Sequence, residues 1–81
     1  MKLFLIEQSE NSDYETYDAA VVIAENEEEA RNMNPATGEK MTKQEWADSF
    51  WCFSSQNVRV TYLGESVDNK KGLVCTSFST G

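Results

Sequence analysis

The chain has no histidine among its 81 residues. That removes the usual general base, the common Ser and Cys triads and the commonest metal ligand, so catalysis is not expected. Cysteine is scarce as well. Cys52 and Cys75 have neither CxxC spacing nor a histidine beside them, which argues against zinc. With no secretion signal, both are expected as free thiols helping to fill a core. Gly64 and Gly72 belong to no GxGxxG or GxxxxGK[ST] pattern, so nucleoside triphosphate hydrolysis has no motif, and no cofactor is expected. The opening apolar run, Leu3-Phe4-Leu5-Ile6, stops at Glu7 after four residues. That is too short for a signal-peptide core or a membrane span, so a cytoplasmic location without membrane contact is expected.

Charge of one sign is abundant. Nine of the fourteen acidic residues fall in positions 1–29, where Lys2 is the only base, so that stretch carries −8 while residues 30–81 come to +1. Such polarity repels naked nucleic acid and anionic membrane and attracts a basic protein groove. Apolar residues make up 40% and nine are aromatic, enough surface for a folded domain despite the charge. A chain of this length builds one core at most, so residues 1–81 are expected to form a single small acidic domain.

Hydrophobic periodicity sets the elements. Lys2 to Gln8 places Leu3 and Leu5 on one face and Phe4 and Ile6 on the other, as in a central strand covered on both sides or lying at a subunit contact. A polar connector from Ser9 to Thr16 leads to a second strand over Tyr17 to Ala24. Asn26 is placed to cap a helix with Glu27, Glu28 and Glu29 in its first turn, Ala30 and Met33 facing inward, and Pro35 ending it near Asn34. Pro35 to Lys40 reads as a turn. Thr42 and Glu45 match a capping box opening a second helix that carries Trp46 and Trp51. Val58 to Leu63 and Leu73 to Ser79 alternate with the two-residue period of strands. The order β-β-α-α-β-β predicts an α+β domain: a four-stranded antiparallel or mixed sheet with short helices packed on one face.

Two constellations are candidates for binding. The first is an acidic surface of Glu7, Glu10, Asp13, Glu15 and Asp18, continued by Glu25, Glu27, Glu28 and Glu29. Its carboxylates can space negative charge much as a phosphate backbone does and so occupy a basic nucleic-acid-binding groove. The same charges also suit a plain solubility face, and Glu27 to Glu29 an ordinary first helical turn. The second is aromatic and hydroxyl-rich: Tyr14, Tyr17, Trp46 and Trp51 with Arg31, Arg59 and the stretch Thr76-Ser77-Phe78-Ser79-Thr80-Gly81. Aromatic faces stack on bases, Arg forks onto phosphate, and hydroxyls bond phosphate and ribose oxygens. As a structural set, Trp46, Trp51 and Tyr62 are expected as the core of a small α+β domain and the terminal stretch as a frayed strand end. The carboxylate pairs Asp13 with Glu15 and Glu45 with Asp48 read as solvent-facing, without the pocket that acid–base work needs.

The run from Tyr17 to Arg31 (Tyr-Asp-Ala-Ala-Val-Val-Ile-Ala-Glu-Asn-Glu-Glu-Glu-Ala-Arg), with Trp51, Val58 to Gly64 and Ser77 to Gly81, resembles small uncharacterised proteins of tailed bacteriophages. In size, acidity and the strand leading into a Glu-Ala-Arg helix, such proteins are similar to the accessory proteins by which phages block bacterial immunity, anti-CRISPR inhibitors and cyclic-nucleotide sponges among them. The resemblance implies a non-enzymatic counter-defence protein acting in the bacterial cytoplasm, with a basic host immune protein as partner. Its alternatives are a sponge for a cyclic-nucleotide or NAD-derived signal, or a phage accessory protein with no immune role. A homodimer or higher homo-oligomer is a further expectation, from the two apolar faces of the first strand.

Overall fold

The computed structural model describes residues 1–10, 16–48, 50–52, 54–67 and 70–79, and for 78 and 79 the backbone only. Strand β1 (Lys2–Glu7) takes an inner place in a sheet of order β3-β1-β2-β4, flanked by β2 (Thr16–Ala24) and β3 (Arg59–Glu65), with β4 (Gly72–Ser79) beyond β2. All three pairings are antiparallel. Two short helices, α1 (Glu27–Arg31) and α2 (Lys43–Ala47), and a 3-10 turn (Ser55–Asn57) lie between β2 and β3 in the chain. This is the α+β order expected, with the mixed-sheet alternative settled as antiparallel.

The alternation of β1 selects the core. Phe4 and Ile6 turn inward with Ala20, Val22 and Ala24 of β2, and meet Ala30, Met33, Met41, Trp51, Cys52 and Val58. Trp51, Ile6 and Val22 are fully buried. Full burial of side chains this large contributes on the order of 2–3 kcal/mol each, the dominant favourable term in a domain so small. At the margin, Phe4 meets Tyr62 edge-on with ring centroids 5.8 Å apart, and Tyr17 meets Phe50 at 6.2 Å.

Local chemistry fixes both helices. The Asn26 side chain accepts from the amide of Glu29 at 2.8 Å, and Thr42 with Glu45 forms the reciprocal capping box. Each helix is shorter than its spacing suggested. α1 stops at Arg31 rather than near Asn34, because the backbone of Met33 is drawn into a bridge with Lys40 and the Asn34 carboxamide oxygen accepts from the amides of Ala36 and Thr37. α2 carries Trp46 but not Trp51. Its cap Asp48 is already extended, and the Phe50 carbonyl is taken by the amide of Tyr17 at 2.8 Å, which steers Trp51 into the core outside any helix. Two further expectations are corrected. Cys52 is buried but Cys75 is exposed, because the register with Val21 puts Cys75 on the face opposite the helices. Tyr62 is 54% exposed, because β3 is an edge strand.

The turn after α1 is held against the sheet by Gly38. Its φ of 76° lies in the left-handed region, and a Cβ there would run into the backbone amide of Leu73 at the start of β4.

Arg31 ties the helix to the 3-10 turn. Its Nη1 donates to the carbonyls of Val58 at 2.6 Å and Ser55 at 3.3 Å, while Nη2 pairs with Glu27 at 3.2 Å. Arg31→Ala strands partly buried carbonyls, so urea unfolding should show a loss of about 1.5–3 kcal/mol. Trp51→Ala should cost about 3–5 kcal/mol, and circular dichroism should find that variant largely unfolded.

Candidate docking surface

The hairpin of β1 and β2 gathers one group of acids. Glu7 closes β1, half-buried, with its Cα paired to Ala19 on one side and Arg59 on the other. Glu10 is exposed and accepts from Asn57 Nδ2 at 3.1 Å. Asp18 is exposed where the β2–β4 register shifts between Tyr17 and Ala19. Gln8 anchors this end, its amide donating to the Asp18 carbonyl at 3.1 Å and its side chain to the Tyr17 carbonyl at 3.0 Å. Asp13 and Glu15, with Tyr14, lie outside the described residues.

Glu25, Glu27, Glu28 and Glu29 stand at the opposite end of β2. Seven residues at about 3.3 Å separate Asp18 from Glu25, roughly 23 Å and more than twice the Debye length of about 8–10 Å at physiological salt. The acidic surface expected as one is therefore two electrically independent poles. The helix pole carries its own bases. Lys71 pairs with Glu29 at 2.8 Å and Glu25 at 3.9 Å, Arg31 with Glu27, and Lys2 Nζ donates to the Glu25 carbonyl at 3.4 Å. Glu28 accepts from Asn32 at 3.2 Å, and Glu29 Oε1 accepts from the amide of Glu25 at 2.9 Å. A surface cleft of about 780 Å³ lies between α1 and the turn at Gly38, with Glu28, Glu29 and Glu39 facing Lys40 and Lys71. The pairing of Lys71 was not legible in the sequence, since its partners lie more than forty positions upstream.

The aromatic and hydroxyl set does not converge. Trp51 is at 0% exposure in the core. Arg31 is spent on backbone carbonyls, and Tyr17 is half-buried against Phe50. Arg59 is exposed beside a pocket of about 140 Å³ with Glu7 and Asn57. Ser77 is exposed on β4, paired with Ala19 on the sheet face away from the helices, and Phe78 and Ser79 are placed by register alone, opposite Tyr17 and Thr16. Burial takes Trp51 from this set because it is the largest apolar group available to a small core.

Glu45 is also committed: its two oxygens accept from the amide of Thr42 at 2.9 Å and from Asn34 Nδ2 at 3.0 Å. Among the described residues no cluster of three or more His, Cys, Asp or Glu is placed to hold a metal, and no helix is long and apolar enough to cross a membrane. No protein-family model, curated protein or solved structure matches the chain.

The Lys71 ammonium, then the Glu25 amide, holds the Glu29 carboxyl below its ordinary range, and the same pairing raises Lys71. A carboxyl lowered on folding stabilises above its unfolded value, and that contribution is lost as pH falls through the lowered value. Wild-type stability should therefore decline on acidification between about pH 5 and pH 3. Glu29→Gln should make that decline shallower in urea titrations at successive pH values.

Proposed function

We propose that the chain is a non-enzymatic binding protein that inhibits a bacterial antiviral effector, its acidic hairpin end docking in a basic groove that otherwise receives nucleic acid. One observation carries this reading: Glu7, Glu10 and Asp18 collect at one end of the sheet, while the partners Lys71, Arg31 and Lys2 sit at the other. Asp13 and Glu15 lie between Glu10 and Asp18 in sequence. The exposed carboxylates of Glu10 and Asp18, in a stretch of sequence with five acids within twelve residues, present a negative field that speeds encounter with a basic surface, by about tenfold or more at low salt. The absence of histidine supports binding over catalysis. Resemblance to tailed-phage proteins supports an immune effector as the target and the host cytoplasm as the place of action.

Expression of the chain in bacteria carrying an active antiviral nuclease should raise phage plaquing. The reversal Glu10→Lys with Asp18→Lys should return plaquing to the uninhibited level and flatten the salt dependence of binding to the purified effector. Plaquing that ignores the chain across defence systems, or inhibition indifferent to the reversal, would overturn the reading.

A further inference from the structure

Among the described residues, the helices cover one face of the sheet and leave the other open. On that face Leu3 and Leu5 of β1 lie beside Ile23 and Val21 of β2, and the middle row runs Thr61, Leu5, Val21, Cys75 across the four strands. Their alternate neighbours Ile6 and Val22 are fully buried beneath the helix layer, whereas Leu3, Leu5 and Val21 keep part of their surface exposed although they lie in the two central strands. Ile23, in the same row as Leu3, is 8% exposed and stands outside the main core cluster. An apolar row through the centre of a sheet is the pattern of a strand buried on both sides.

We propose that a second copy of this chain packs on this face, sheet against sheet, to give a two-fold sandwich dimer with the helices outward.

Charge and area both favour a second copy as the occupant. The chain carries −7, but among the described paired rows the open face includes charged residues only at Glu7 and Arg59, which oppose each other across β1 and β3 and cancel. Two copies can therefore meet here without joining their net charges, and a strongly basic or acidic partner would find little to pair with. Four strands about 4.8 Å apart, six to nine residues long at about 3.3 Å each, present roughly 400–550 Å². Two such faces bury about 800–1,100 Å², the lower edge of what specific association requires, so a dimer of micromolar order is expected. A two-fold axis lying between the sheets and running along the strands sets Leu5 of one copy over Val21 of the other, and the reverse. Sheets of equal twist stack in this way at about −30° and about 10 Å. Of the hairpin-end acids, Glu7 alone belongs to the paired rows of this face, so reversal of Glu10 and Asp18 tests the docking reading separately from the dimer.

Sedimentation equilibrium of the full chain across a concentration series tests the proposal. The expected result is a species of twice the 9.2 kDa monomer mass at tens of micromolar. Val21→Glu should weaken it at least about 100-fold by burying an unpaired charge. Because that variant can also disturb folding, the pair Thr61→Glu and Cys75→Glu places charge at the two exposed ends of the same row and should dissociate the dimer with an unchanged circular dichroism spectrum. A monomer at every concentration overturns the proposal. So does a dimer that survives the Thr61 and Cys75 pair, since its contact then lies elsewhere, for example along the edge of β4.

Discussion

Everything in this molecule is arranged around a strand that is apolar on both sides in a chain that makes only one covering layer. β1 is internal, and its Phe4 and Ile6 nucleate the core with β2 and the helices. Its other side, Leu3 and Leu5, cannot be buried by the same layer. Among the described residues no second layer covers that side, so the conflict between the sequence of β1 and its surroundings is settled at the surface. The positions of the bulges, the edge strands and the exposed Cys75 follow from how the other strands flank that one.

Electrostatics adapts to this frame. The hairpin and α1 lie at opposite ends of β2, so carboxylates continuous in sequence are divided by the length of the strand. At the helix end the acids do structural work: Glu29 joins the Glu25 amide to Lys71, and Glu27 braces Arg31, which in turn holds the 3-10 turn. At the hairpin end Asn57 positions Glu10, and Gln8 fixes the backbone. Equal charge density thus carries different meanings at the two ends, and the surroundings decide which.

Much of the fold was legible because it rests on short-range rules. The alternation in β1, the Asn26 cap and the Thr42–Glu45 box each depend on residues within four positions of one another, and each formed as the spacing required. The misses were long-range. Helical spacing of Trp46, Phe50 and Trp51 suggested a continuous helix, but the distant amide of Tyr17 claimed the Phe50 carbonyl. Arg31 looked available for a ligand because its acceptors, the Ser55 and Val58 carbonyls, are backbone groups that sequence does not advertise. The acidic residues were visible as a set, but their division into two ends required the direction of β2.

The strand order also governs when the molecule can close. β2 finds its outer partner in β4, roughly fifty residues later in the chain, and Gly38 must seat against the first residues of that same strand. At synthesis rates of about 5–20 residues per second, the outer edge of β2 stays unpaired for several seconds after β1 and β2 are made. Throughout that interval the nascent hairpin offers both a free edge and the apolar pair Val21 and Ile23. The dense charge flanking this strand on either end acts in that period as a gatekeeper, keeping neighbouring nascent chains apart until β4 arrives.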